Sequence, residues 1–141
     1  MSAQAGGEAA ARPRASGAAR ALALTYTIFA IAAGSRSLFQ IATKLDEAPL
    51  AYLLSAVAAV VYVVAAYGFL KATPASLRLA HAALLFELVG VLVVGTLTVL
   101  DAGDFPDETV WSTYGQGYGF VPLVLPVIGL LWMRRERRRR A

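Results

Sequence analysis

The sequence predicts an all-α fold: a four-helix transmembrane bundle, up-down-up-down, with both termini cytoplasmic. Three observations carry that expectation. Of the 141 residues, 58% are hydrophobic and 16% charged, against roughly 45–50% and about 25% in an ordinary soluble domain. The apolar residues gather in four stretches, at about 21–43, 48–70, 77–100 and 113–133, and about 20 residues suffice to span a bilayer. The charges lie mostly outside those stretches, with the two signs sorted to opposite sides.

Residues 1–20, MSAQAGGEAAARPRASGAAR, are rich in Ala, Gly and Ser and can bury no core, so a disordered cytoplasmic tail is expected there. The first span, 21–43, has an unbroken apolar part from Ala21 to Gly34, before Arg36 and Gln40. Arg12, Arg14 and Arg20 followed by that short run and Ala32-Ala33-Gly34 also have the layout of a cleaved signal peptide. The apolar periodicity continues through Leu38, Phe39, Ile41 and Ala42, which favours a retained span. Lys44 to Ala48 reads as a tight outer turn, with Pro49 opening span 2, where a missing N–H costs little. Ala72 to Ser76, with Pro74, reads as a tight inner turn. Short links make consecutive spans antiparallel neighbours.

Orientation follows from the positive-inside rule. Arg12, Arg14, Arg20, Lys71, Arg78 and the six arginines of the C-terminal tail put 11 of the 13 basic residues on one side. The other side holds Lys44 beside Asp46 and Glu47, then Asp101, Asp104, Asp107 and Glu108. The expected location is therefore the plasma (inner) membrane, multi-pass, with N- and C-termini cytoplasmic. Residues 134–141 carry six Arg and one Glu, +5, so the rest of the chain sums to −1 within the net charge of +4.

Several chemistries are excluded or disfavoured. Without cysteine there is no disulfide, thiolate nucleophile or CxxC metal site. A single histidine, His81, cannot build a multi-His site within one chain. No HExxH, GxSxG or phosphate loop is present. The expectation is no enzyme, no cofactor, no metal and no nucleic-acid partner. The acidic outer stretch from Asp101 to Glu108 matches no EF-hand and reads as a solvated loop.

The polar residues inside the spans are the candidates for function. A helix rises about 1.5 Å per residue, which puts Arg36 roughly 10 Å and Glu87 roughly 20 Å below the outer surface. A charge at mid-bilayer costs about 2.5–3.5 kcal/mol, so neither should face lipid. An Arg36–Glu87 ion pair, direct or through a hydroxyl or water, is the expected solution. Thr25, Phe29, Ala33, Arg36, Gln40 and Thr43 share one face of span 1. On span 2, Tyr52, Ser55, Ala59, Tyr62 and Ala66 form a packing stripe opposite Leu53, Val57, Val60 and Val64. On span 3, Ala83, Glu87, Gly90, Val94 and Thr98 align, and Gly90 would admit a close helix. The candidate intramembrane polar site is therefore Arg36, Gln40, Tyr62, Glu87 and Gln116. Such a seam serves either to hold a bundle together or as a midplane substrate, proton or ligand site.

The segment WSTYGQGYGFVPLVLP, 111–126, combines alternating glycines with Pro122 and Pro126. Either a helix starts near Thr113 and is kinked twice, or a non-helical stretch dips into the bilayer and the helix starts near Pro122. Trp111, Tyr114 and Tyr118 read as an outer aromatic belt, with Trp132 at the inner interface. His81 reads as an interfacial side chain. Arg134, Arg135, Arg137, Arg138, Arg139 and Arg140 directly follow span 4. They serve as a topology anchor and as candidate contacts for anionic lipid.

The motifs ELVGVLVVGTL (87–97), FPDETVWSTYGQGYG (105–119) and FVPLVLPVIGLLW (120–132) resemble those of small four-span integral membrane proteins of actinobacteria. That resemblance covers roughly 20–133 and implies a membrane location and a four-helix fold, with no activity attached. Phe29, Gly34 and Glu87-Leu88-Val89-Gly90 are more weakly similar to DoxX-like four-span proteins. The function expected is a non-enzymatic structural or accessory subunit in the bilayer, as a homodimer or beside a membrane-protein partner. The alternative is a small transporter or ligand-binding membrane protein whose polar cavity opens outward.

Overall fold

The computed structural model describes residues 17–100, 109 and 111–140, and of residues 117, 139 and 140 the backbone alone. Most of the expected N-terminal tail and the acidic stretch Asp101 to Glu108 lie outside these residues. The remainder is helical: α1 (Gly17–Lys44), α2 (Pro49–Lys71), α3 (Pro74–Leu100) and α4 (Val121–Arg140), with 3-10 segments at Leu45–Glu47 and Ser112–Tyr118. Helix α1 already includes Gly17 to Arg20, the last four residues assigned to the tail.

Helix α1 runs unbroken through Ala32-Ala33-Gly34. Its threonines satisfy themselves locally: Thr25, Thr27 and Thr43 each donate to the carbonyl four residues back, on Ala21, Ala23 and Phe39. A hydroxyl handled this way asks nothing of a neighbouring helix. Helix α2 opens with Pro49 in its first turn. It ends at Ala72, which takes the left-handed conformation (φ 54°) and donates its N–H to Gly68 O. Thr73 and Ser76 then cap α3 reciprocally. The Ser76 N–H donates to Thr73 Oγ1 at 3.1 Å and the Thr73 N–H to Ser76 Oγ at 2.9 Å, a capping box with serine in the usual Glu/Gln place.

The packing of α1 on α2 follows seven-residue repeats of small and aromatic residues. Ala19, Tyr26, Ala33 and Gln40 are buried on α1; Ser55, Tyr62 and Phe69, with Tyr52, Ala59 and Ala66, are buried on α2. Strict sevens keep one seam facing a partner helix, and alanines let the two backbones approach. The outward stripe is exposed, including Leu24, Ile28, Ile31 and Leu38 on α1 and Leu53, Val57, Val60 and Val63 on α2. Helices α2 and α3 meet closely at their turn, where a Cβ on Gly68 would sit 2.6 Å from Ala80 Cβ.

The fourth span is overturned. Among the described residues three helices are long and apolar enough to cross a membrane: α1 with its following turn, α2 and α3. The fourth element, expected at 113–133, is divided. Thr113 (φ 50°), Tyr114 (φ 59°) and Gly115 (φ 83°) turn left-handed, and the helix proper begins at Val121. Its apolar part, Val121 to Met133, gives only about 20 Å of helix against a hydrocarbon core of about 30 Å. The rest of α4 is RRERRRR. The fold is thus an all-α bundle of four helices, with three of spanning length and composition, and not four transmembrane spans.

Helix α4 lies along α3. A Cβ on Gly129 would run into Leu84, and Trp132 meets Phe69 edge-on at 5.9 Å. Pro122 and Pro126 are fully buried. Arg137 reaches His81 near the start of α3, so α3 and α4 run in opposite directions. Ala18, Leu22 and Thr25 of α1 share a surface hollow with Ile128 and Trp132. The start of α1 and the end of α4 therefore occupy the same end of the bundle.

Candidate functional site: a carboxyl enclosed by aromatic rings

Glu87 stands halfway along α3, with thirteen helical residues before it and thirteen after. Its side chain is completely buried, at 0% exposure. Oε1 accepts a 2.7 Å hydrogen bond from the Tyr26 hydroxyl on α1. Among the described residues nothing hydrogen-bonds Oε2. Tyr26 is itself held between rings of α2, with Tyr62 at 5.8 Å and Phe69 stacked at 6.1 Å. Offset ring pairs at these separations add about 0.5–1.5 kcal/mol beyond burial. The carboxyl therefore ties α3 to a tyrosine that α2 holds in place.

Trp111 closes this core from the other side. Its Nε1 donates to the Tyr62 hydroxyl at 2.9 Å, and its ring rests on Gly90. A turn delivers it: Thr109 N–H donates to Ser112 Oγ at 2.7 Å, and Trp111 N–H donates to Thr109 Oγ1 at 3.0 Å. Trp111 is 2% exposed and so belongs to the core, not to an outer aromatic belt. The gap left by Gly90 takes this indole rather than another helix backbone.

The left-handed segment is braced in the same manner. Thr113 N–H donates to Thr98 Oγ1 at 2.8 Å, and the Tyr114 ring covers Gly95 while its hydroxyl meets Thr96 Oγ1 at 2.9 Å. Left-handed backbone costs a residue with a side chain about 1–2 kcal/mol. These contacts with α3 offset that cost at Thr113 and Tyr114.

The five residues expected to form a polar site are dispersed. Tyr62 and Glu87 belong to the same enclosed core. Arg36 is exposed and donates to the Tyr118 hydroxyl at 3.0 Å, so the expected Arg36–Glu87 ion pair is not formed. Ser37, the next residue, points inward in its stead. Gln40 is buried on the α1 seam with its Oε1 unpartnered. Gln116 is exposed in the 3-10 segment. Tyr26, which the sequence reading passed over, carries the hydrogen bond assigned to Arg36. Its signal was the seven-residue spacing from Ala19 through Tyr26 and Ala33 to Gln40.

The basic end holds Arg134, Arg135, Arg137 and Arg138, all exposed on α4. The side chains of Arg139 and Arg140 lie outside the described residues. Among the described residues no three His, Asp or Glu side chains gather where a metal ion would sit.

The molecule has the build of a multi-span membrane protein. No protein-family model, no curated protein and no solved structure matches the chain. The resemblance to actinobacterial and DoxX-like membrane proteins rests on the quoted motifs alone.

Proposed function

We propose that this is a non-enzymatic structural or accessory protein of the plasma membrane, with the arginine-bearing end of the bundle in the cytoplasm. The observation that carries this reading is the complete enclosure of Glu87 with a tyrosine donor from a neighbouring helix. A side chain that moved substrate or protons would need a path to water. Four hollows among the described residues are lined at the basic end by Pro74, Arg78, His81 and Arg137, and elsewhere by Thr25, Ile128, Leu92 or Leu97, and Glu87 lines none of these four. Enclosed polar pairs serve helix association in a bilayer. The broad exposed stripes of Leu, Ile and Val suit lipid, a second copy of the chain or a membrane-protein partner.

The orientation rests on Arg20, Lys71, Arg78 and the α4 arginines sharing one end of the bundle. The activity reading is tested by proton and solute flux in proteoliposomes. Wild-type protein should pass no more than protein-free vesicles, and Glu87→Gln should leave that background unchanged. Flux that Glu87→Gln abolishes would overturn it.

One observation favours a second reading, a small ligand-binding or transport protein: the unpartnered Oε2 of Glu87 beside Tyr62. Buried ionisable groups in spans are functional candidates by default. In that version Tyr62 and Glu87 bind the ligand, and Arg36 and Gln116 stand at its outer approach.

A further inference from the structure

A hollow of about 390 Å³ lies between α3 and α4 at the arginine-bearing end, lined by His81, Leu85, Leu130, Leu131, Arg134 and Arg137. Its lining is sorted by depth. Helix α3 runs away from this end, so Leu85 lies one turn deeper than His81. Helix α4 runs toward it, so Leu130 and Leu131 lie about a turn deeper than Arg134. Each turn corresponds to roughly 5 Å. Two guanidinium groups and an imidazole thus stand at the mouth, and three leucines form the floor toward the bundle centre.

Arg137 is positioned as well as present. Its Nη2 lies 3.1 Å from His81 Nδ1. Arginine can only donate, so Nδ1 accepts. This contact orients the guanidinium without adding an opposite charge, as a carboxylate would. The hollow itself holds no acidic side chain.

We propose that this hollow binds one anionic phospholipid, its phosphate on Arg134 and Arg137 and an acyl chain along Leu85, Leu130 and Leu131. Charge complementarity selects the occupant. An apolar partner helix would leave the two arginines without an opposite charge, and a free anion would leave the leucine floor empty. A lipid satisfies both ends, because its own charge and chain are separated in the same direction. The arginine fork also matches phosphate oxygens pairwise. This makes the basic end a discrete site, more than a diffuse polybasic attraction. It holds whether or not Glu87 binds a ligand.

The test uses the full chain in mild detergent, titrated with dioleoylphosphatidylglycerol or dioleoylphosphatidylcholine, and reads bound lipid by native mass spectrometry. One phosphatidylglycerol should be retained at concentrations where phosphatidylcholine is not. Arg134→Gln with Arg137→Gln should weaken retention about 30-fold, while Arg138→Gln with Arg139→Gln and Arg140→Gln, which removes more charge, should weaken it less than about 3-fold. Leu131→Trp, at an exposed position, should fill the hollow and weaken binding with no change of charge. Equal retention of the two lipids overturns the proposal. So does an equal or larger loss in the tail variant, or unchanged binding in Leu131→Trp. Circular dichroism melts of each variant verify the fold, and the Leu131→Trp comparison stands even if the double arginine variant is lost.

Discussion

The Tyr26 hydroxyl donates to Glu87 Oε1 across 2.7 Å, joining residues 61 apart in sequence on two helices of spanning length. Neither side chain has water to turn to, since both are fully buried. In the folded bundle the alternative to this bond is an unsatisfied polar group, while in the unfolded chain both groups find other partners, which keeps the net value of the bond modest.

The first prediction follows from that bond. Tyr26→Phe removes the donor and leaves the Glu87 carboxyl with no bond at either oxygen, which should cost about 1–3 kcal/mol. Glu87→Leu should cost a similar amount by orphaning the hydroxyl. The double variant should recover part of the loss, with a coupling of about 0.6 kcal/mol and at most about 1.7 kcal/mol, the average and the maximum for hydrogen bonds between membrane helices. Unfolding in a mixed micelle, by denaturing detergent, measures it. Strictly additive losses would mean that the bond contributes nothing.

The second concerns Gly90. A Cβ there runs into the Trp111 ring, whose indole N–H is committed to Tyr62. Gly90→Ala should displace the indole and destabilise the fold by about 1–3 kcal/mol, the usual result of overpacking. In a Trp132→Phe background Trp111 is the sole tryptophan and is excited selectively beyond the tyrosine absorption. Its emission should shift to the red and become more accessible to acrylamide in Gly90→Ala. An unchanged spectrum would place the indole somewhere other than against Gly90.

The third tests the shortness of α4. Grafted separately into a reporter for translocon insertion, segments 49–71 and 74–100 should insert efficiently, as the mean hydropathies of 2.2 and 2.4 over an 18-residue stretch of each demand. Segment 121–140 should not, because its apolar run ends at Met133 and arginine disfavours insertion near the centre by about 2.5–3.5 kcal/mol. Insertion of 121–140 as efficient as that of 49–71 would restore a fourth autonomous span.

Much of the helix pattern was legible because period alone carries it. Tyr52, Ser55, Ala59, Tyr62 and Ala66 were read as the packing stripe of α2, and all five are buried. Ala83, Glu87, Gly90, Val94 and Thr98 share one face of α3 by the same period, and all but the half-buried Gly90 are buried. On α1 the reading chose Arg36 over Ser37, a rotation of one residue. A charge draws attention to itself, whereas the alanines and Tyr26 that do face α2 are weak signals one at a time. Trp111 was misplaced for a related reason. An aromatic near the end of an apolar stretch suits an interface, and only the turn from Thr109 to Ser112 directs it inward.

The sequence by itself determined that the chain has apolar helices of spanning length, where α2 and α3 turn, and which stripe of α2 packs inward, since periodicity and proline act within a few residues. Only the tertiary structure decided the partner of Glu87, the burial of Trp111 and the division of the fourth apolar stretch at Thr113 to Gly115. Those outcomes depend on contacts between residues far apart in the chain. Hydropathy averages over a window and cannot register a backbone that turns left-handed because Thr98, Gly95 and Pro122 stand ready to receive it.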